Sequence, residues 1–324
     1  MRPTLSVVGP VHNEEKALPE FHRRLLAALD ALGFPFEIIY VDDGSTDGTP
    51  ALLRKLRAEN PAVKILEFSR NFGHQLAITA GIDRASGDAC VVIDTDGQDP
   101  PELIAEMDRA WRTGRHEVVY AVRTHRQGEG LFKRLTAALF YRLMRRITRL
   151  DIPLDAGDFR LIDRKVMGVL RDIRESHRFV RGLTSWAGFR QTRVEYSREA
   201  RIAGSTHYPF WKMLGFAADG ITSFSHAPLR WVSFCGMATC LFSAAMGVWI
   251  LYIKLFYVRV VQGWASLMVV VLFLGGAQLL ALGVIGAYLA RIFDEVKGRP
   301  LYVVGDAAGF GPDEGAPKGL RAET

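Results

Sequence analysis

Residues 91–102 read VVIDTDGQDPPE. An apolar run suited to a buried strand stops at two carboxylates, Asp94 and Asp96; a third acid follows at Asp99, and Pro100 stands where a helix start is expected. This is one strand-to-helix step, and the same step recurs along the first part of the chain. Apolar runs at Leu5–Val8, Phe36–Val41, Val63–Phe68, Ala89–Ile93 and Val118–Val122 read as buried strands. Helical patterns at Glu14–Leu32, Thr49–Glu59, His74–Ala85 and Pro101–Arg112 alternate with them, Asp47 marking the second start. The order predicts an α/β fold with a doubly wound, mostly parallel sheet. Ligands of such sheets bind beyond the carboxyl ends of the strands. There the chain places GPVHNEE, DDGSTDG, SRNFGH, DTDGQDPPE and RTHRQGEG, a rim dense in acids and glycines.

Asp94 and Asp96 point to one face if the strand continues through them. Two carboxylates ~4 Å apart repel by about 4 kcal/mol at an effective dielectric of 20. A shared proton, an arginine or a divalent cation must offset this. Mg²⁺ or Mn²⁺ suits such oxygen ligands and commonly combines one or two carboxylates with substrate phosphates. A calcium loop of the EF-hand kind fits poorly, because Gly97 comes too early and no Glu stands at its twelfth position. Helix capping explains Asp99 better than Asp94 or Asp96. Neither G-x-x-x-x-G-K-[ST] nor a G-x-G-x-x-G after the first strand is present. A metal-bridged diphosphate remains the natural ligand of this rim.

The 324 residues are 49% hydrophobic, but unevenly so. No charged residue lies between Trp231 and Ile253, or between Val260 and Ala290. A bilayer core of ~30 Å needs about 20 helical residues, so both stretches predict membrane-spanning helices. The expected domains are a catalytic domain over 1–228, a two-helix membrane region over 229–290 and a tail over 291–324. MRPTLSVVGPVHNEE turns polar too soon for a signal peptide, which places the bulk of the chain on the cytoplasmic side. Lys212, Arg230, Arg291, Lys297 and Arg299 outside the spans, against Lys254 and Arg259 between them, agree with cytoplasmic ends. A net charge of +6 beside two spans points to an anionic membrane surface rather than to nucleic acid, for which no motif is present. LFKRLTAALFYRLMRRITRL, 131–150, reads as a basic amphipathic helix, either packed on the sheet or lying near headgroups. YPFWKMLGFAADGITSFS reads as an interfacial helix anchored by Phe210, Trp211 and Phe216. Cys90, Cys235 and Cys240 read as small packing residues, not a disulfide framework. Gly275, Gly276, Gly283 and Gly286 permit close helix contacts and hence a homo-oligomer. The tail after Val304, rich in Gly, Pro and charge, reads as disordered.

Five motifs in order, VVGPVHNEE, VDDGSTDGT, FSRNFGHQLAITAGID, DTDGQDPPELI and DAGDFRLIDRKV, resemble the GT-A-fold family-two glycosyltransferases. More narrowly, the chain resembles the polyprenyl-phosphate glycosyltransferases, kin of dolichol-phosphate mannose synthase and of bacterial undecaprenyl-phosphate glucosyltransferases. The resemblance runs from about Leu5 through EVKGRPLYVV. It implies an integral membrane enzyme of the bacterial inner membrane, with a nucleotide-sugar donor, a polyprenyl-phosphate acceptor and Mg²⁺ or Mn²⁺. UDP-glucose is the first expectation for the donor, ahead of GDP-mannose and other UDP-sugars.

The resemblance also implies roles for single residues. Pro10, Val11, Asn13 and Glu14 would line the nucleotide pocket, with Asp42 near the base, Asp43 nearby and Arg70 among the substrate-binding residues. Asp94, Asp96 and Gln98 match a D-x-D-x-Q motif in which the metal grips the diphosphate. Asp158 matches the acid proposed as catalytic base, with Asp96 as the second catalytic acid. Arg123 and Arg126 would meet the acceptor phosphate, and Arg198, Arg201, Ser205 and His207 lie in a segment contacting phosphates. His207 stands where Lys is frequent in the family, and Gly97 where a larger apolar residue is common. A lipid phosphate is already largely ionised at neutral pH, its second pKa being ~6, so it needs little help from a base. Asp158 then orients the acceptor or the metal site more than it removes a proton. Single in-line displacement with inversion is the expected course. A processive polysaccharide synthase is the nearest alternative, but HAPLRW lacks the Gln of Q-x-x-R-W and only two spans follow. A non-catalytic scaffold conflicts with intact Asp94, Asp96 and Asp158.

Overall fold

The computed structural model describes residues 4–123, 156–196, 227–256 and 263–311. Chain contacts divide it into two units, one made of 1–145, 149–207 and 299–324, the other of 146–148 and 208–298. The first unit is built on β1 (Leu5–Val11), α1 (Leu18–Asp30), β2 (Phe36–Asp42), α2 (Thr49–Glu59), β3 (Val63–Phe68), α3 (His74–Arg84) and β4 (Ala89–Val92). A 3₁₀ turn (Pro101–Leu103), α4 (Ile104–Arg112), β5 (Val118–Arg123), β6 (Ala156–Asp163), α5 (Arg164–Asp172), α6 (Val180–Trp186), β7 (Gln191–Tyr196) and β8 (Val304–Ala308) complete it.

Every residue of β1 is buried, as expected of a central strand covered on both faces. The sheet runs β7-β5-β6-β4-β1-β2-β3-β8. Pairs β1–β2, β1–β4, β2–β3 and β5–β7 are parallel. The expected mostly parallel sheet is therefore a mixed one, because β6 enters antiparallel between β4 and β5 and β8 pairs antiparallel with β3. The register Val92↔Arg160 carries β6 toward the acidic rim: two residues before Arg160 is Asp158, opposite the position two beyond Val92, which is Asp94.

Helix α1 buries Leu18, Phe21, His22, Leu25 and Leu29, the i, i+3, i+4, i+7 stripe of a core-facing helix. It starts four residues later than the sequence pattern suggests. The Asn13, Glu14 and Glu15 amides donate to Ser45 Oγ, Thr49 Oγ1 and Asp47 Oδ2 across the next loop instead of entering a helix. Helix α3 lies directly on β1: a Cβ at Gly81 would come within 2.2 Å of Val8 Cγ1, so only glycine permits this approach.

The segment after Val304, expected to be disordered, forms β8 over Val304–Ala308, and residues 312–324 lie outside the described part. Tyr302 stacks on Phe68 with ring centroids 5.2 Å apart and donates its hydroxyl to Asp83 Oδ2 at 2.8 Å. Hydrogen bonds to β3 and this aromatic contact outweigh the low hydrophobicity of the strand. Asp99 is a second correction. Rather than capping the following turn, which has no side-chain cap, it is buried and accepts a hydrogen bond from the Tyr196 hydroxyl of β7.

The second unit contains α7 (Ala227–Phe256) and α8 (Trp264–Val296). They take in residues 231–253 and 264–290 of the two uncharged stretches, and large apolar side chains such as Phe242, Trp249, Phe273, Leu280 and Leu289 are exposed on them. By length and composition one segment among the described residues, Phe273–Val296, is long and apolar enough to cross a membrane. In α7 the apolar run Trp231–Met246 is shorter. The helices expected at 131–150 and over YPFWKMLGFAADGITSFS lie outside the described residues.

At the amino ends of the strands, opposite the acidic rim, Glu37 is buried and pairs with Lys64 Nζ at 2.9 Å. It also accepts from Ser6 Oγ, the Ser86 amide and Ser86 Oγ at 2.5, 2.6 and 2.8 Å. Burial alone would raise its pKa, but Ser6, Lys64 and Ser86 together hold it below the usual value of 4.5. A depressed folded-state pKa contributes stability above the unfolded value that is lost as pH falls through the folded one. Glu37→Ala is expected to cost about 3–5 kcal/mol at neutral pH, since it removes the buried acceptor shared by Ser6, Ser86 and Lys64. Thermal unfolding of the full chain at pH 7 checks this; an unchanged midpoint refutes it.

Candidate active site

The carboxyl ends of β1, β2 and β4 open into a cleft of about 210 Å³ lined by Pro10, Val11, His12, Glu14, Asp43, His74, Ala77, Asp94, Thr95 and Asp96. The strand β4 ends at Val92, so Asp94 and Asp96 belong to the turn beyond it, yet both line this one cleft. Gly97 follows with φ +76°, in the left-handed region where glycine is at ease, which accounts for its place in the motif. The Asp96 carboxylate accepts the Gln98 amide at 3.0 Å. Gln98 itself is buried and its Oε1 accepts no hydrogen bond among the described residues.

Two loops are zipped together beneath the cleft. Asn13, at φ +56°, takes the Thr46 amide on Oδ1 at 2.8 Å and gives its own amide to Ser45 Oγ at 2.9 Å. Asp42 accepts the Ser45 amide at 3.1 Å, and the Glu15 carboxylate accepts the Gly48 amide at 2.8 Å. Asn13 and Asp42 thus shape the loops around the cleft. Asp43, buried, accepts from the Phe72 amide at 2.6 Å and the Gly73 amide at 3.0 and 3.1 Å. This fixes the loop that ends in His74. Arg70 is exposed, stacked over Phe72 at 4.1 Å and hydrogen-bonded to Asn71 O.

Charged groups adjoin the cleft through a chain of contacts. His74 Nε2 is 3.4 Å from Asp94 Oδ1 and 3.4 Å from Asp158 Oδ2. Gln75 Nε2 donates to the same Asp158 oxygen at 3.2 Å, while its Oε1 accepts the Val180 amide at 3.0 Å. At the other oxygen of Asp158, Arg181 Nη2 is 3.3 Å from Oδ1. Arg160, fully buried, donates to the backbone carbonyls of Asp158 and Gly157 at 3.3 and 2.9 Å and to Thr184 Oγ1 at 2.6 Å.

The three carboxylates that converge here differ. Burial pushes the Asp94 pKa up to about 7; His74 opposes this, and the charges of Asp158, Asp99 and Asp96 add to it. Burial would raise Asp158 as well, but His74, Arg181 and Arg160 overcome it and hold the group well below the usual carboxylate range. His74 is raised: burial lowers it, and the hydrogen bond to Asp158 with the charges of Asp94 and Asp158 prevails. Asp158 is therefore firmly ionised and a poor proton acceptor.

These features bear on a divalent ion. Asp94 Oδ1 is buried without a hydrogen bond, and Asp96 shares its cleft. Among the described residues no cluster of three His, Cys, Asp or Glu side chains could hold a metal. Two carboxylates fit an ion such as Mg²⁺ that keeps several non-protein ligands, and not an all-protein cage.

The structure brings Pro10, Val11, Glu14, Asp43, Asp94 and Asp96 to one cleft, with Asp158 joined to it through His74. Arg123 ends β5, paired in register with Tyr196; Arg126, Arg198, Arg201, Ser205 and His207 lie outside the described residues. Sequence reasoning missed His12, His74, Gln75, Thr95, Arg160 and Arg181. His74 opens a helix just after a rim motif, which is a usable signal; Arg181 carries no mark in its spacing.

A model of the family described as glycosyl transferase family 2 matches residues 6–170. An uncharacterized glycosyltransferase of Bacillus subtilis, YkcC, is 52% identical over 94% of this chain and 94% of its own length. The SfII prophage-derived bactoprenol glucosyl transferase of Shigella flexneri is 40% identical over 93% of this chain and 97% of its own. Among solved structures, glucosyl-3-phosphoglycerate synthase from Mycobacterium tuberculosis is 20% identical, with a TM-score of 0.44 over 69% of this chain and 79% of that one.

Asp43→Ala removes the acceptor of the Phe72 and Gly73 amides. Each lost hydrogen bond to a charged group is worth about 1.5–3 kcal/mol. The variant is expected to keep its circular-dichroism spectrum and lose at least about 10-fold in turnover as His74 drifts from Asp94. Wild-type turnover in this variant contradicts the assigned role.

Proposed function

Because the chain belongs to glycosyl transferase family 2 and is a glycosyltransferase, we propose that it transfers a sugar, glucose from UDP-glucose, to a polyprenyl phosphate at the cytoplasmic face of a membrane. The observation that carries this reading is the pair Asp94 and Asp96 in one cleft at the strand ends, in a chain 40% identical over 93% of its length to a bactoprenol glucosyl transferase. What supports membrane attachment is the apolar segment Phe273–Val296, joined by the exposed apolar side chains of α7 as a second span. The division into a catalytic domain over 1–228, a membrane region over 229–290 and a cytoplasmic tail over 291–324 belongs to the same proposal, as does a homo-oligomer.

In this reading Pro10, Val11, Asn13, Glu14, Asp42 and Asp43 surround the nucleotide. Asp94 and Asp96 would hold Mg²⁺ or Mn²⁺, with Gln98 behind them. When bound, the ion neutralises charge on the departing diphosphate. The acceptor phosphate oxygen attacks the anomeric carbon as its bond to the diphosphate breaks, and the electron pair leaves with the nucleoside diphosphate. The configuration inverts. No proton has to move from an acceptor that is already ionised. This agrees with an Asp158 held in its charged form: it positions His74, Gln75 and Arg181 and does not serve as a base.

The test is transfer of labelled glucose from UDP-glucose to polyprenyl phosphate by the full chain in detergent, with Mg²⁺ or Mn²⁺ added. Wild type is expected to form an inverted glycosyl lipid phosphate, and Asp96→Asn to lose about 100-fold or more, the scale of a lost electrostatic contact to the transition state. No transfer from any common nucleotide sugar, full activity in Asp96→Asn, or a retained configuration would each refute it.

A further inference from the structure

In the row Asp94–His74–Asp158–Arg181, the last member has no role in the reading above beyond its contact with Asp158. Arg181 has five N–H donors in a planar fork, yet its sole polar side-chain partner among the described residues is Asp158, at 3.3 Å and without hydrogen-bond alignment. Its Nε is buried and donates no hydrogen bond among the described residues. Its side chain is still 28% exposed, so a ligand can reach it. The Phe179 ring, just before α6, has its centroid 5.7 Å from the guanidinium carbon. An arginine held in place with unused donors suits a phosphate, which takes two of them side by side.

Its place in the row says which phosphate. Asp94 and Asp96 mark the end where the diphosphate would sit. Arg181 meets Asp158 at Oδ1, whereas the His74 contact that leads back to Asp94 is made at Oδ2. In-line displacement needs the attacking oxygen and the leaving diphosphate on opposite sides of the anomeric carbon. We propose that Arg181, oriented by Asp158, is the binding residue for the phosphate of the lipid acceptor. Asp158 has His74 Nε2 and Gln75 on one oxygen and Arg181 at the other, so it sets the distance between the two ends of the row. This inference rests on the transferase reading above and assigns the acceptor end of the same site.

The experiment measures two quantities on the full chain in detergent for wild type, Arg181→Gln and Arg181→Lys. One is the KM for a short-chain polyprenyl phosphate at saturating UDP-glucose; the other is the Kd for UDP. Arg181→Gln is expected to raise the acceptor KM about 10- to 100-fold, the range for a lost charge-assisted hydrogen bond, and to leave the UDP Kd within about 2-fold. Arg181→Lys, which keeps the charge but not the fork, falls between. An unchanged acceptor KM overturns the inference. So does weaker UDP binding with an unchanged acceptor KM, which would assign the guanidinium to the donor. If Arg181→Gln does not fold, Arg181→Lys decides by the same two readings. A wild-type protein that transfers nothing refutes the transferase reading; a working wild type with an indifferent Arg181 refutes this inference alone.

Discussion

Like charge at the rim of a sheet is the constraint around which this structure is arranged. Asp94 and Asp158 both reach His74 because β6 runs antiparallel past the last paired residue of β4, and Asp96 lines the same cleft as Asp94. The surrounding residues relieve one of the three and leave another strained. Asp158 is surrounded by His74, Gln75, Arg160 and Arg181 and stays ionised. Among the described residues, Asp94 Oδ1 has a long contact to His74 and no hydrogen bond. A fold selected for stability alone would have neutralised both. Unequal relief leaves Asp158 compensated by its neighbours and Asp94 with a raised pKa.

The rim needs rigid support if the inequality is to persist. Asp43 pins the loop before His74, the reciprocal bonds of Asn13, Ser45 and Thr46 lock the neighbouring loops, and Gly81 lets α3 settle against β1. Several residues that line or border the cleft are therefore also those that hold it open. Substitutions there alter shape and chemistry together, and the two effects separate only when substrate affinity and turnover are measured independently.

Much of the first unit was legible because each element carries its own periodic signal. Strands β1 to β5 and helices α2 to α4 fall close to where alternation and breakers place them. What could not be read was decided by partners distant in the chain. β6 and β7 depend on the strands they pair with, and β8 is weakly apolar and exists by pairing with β3. Asp99 looked like a cap because local spacing cannot reveal Tyr196, nearly a hundred residues away, as its partner. The site divides similarly. Asp94, Asp96 and Asp158 stand in motifs, whereas Arg181 gains meaning only when Asp158 is found beside it.

The return of the chain to β3 has a consequence for how the protein is made. A ribosome delivers β3 long before β8, with all of residues 69–303 synthesised in between. For that whole interval β3 presents an unpaired edge, a template for strand addition by another nascent chain. Closure waits until α7 and α8 have both been translated, so the sheet of the first unit is completed only after the helices of the second. A polypeptide released before β8 emerges would carry every acid of the cleft and still display an open, sticky border.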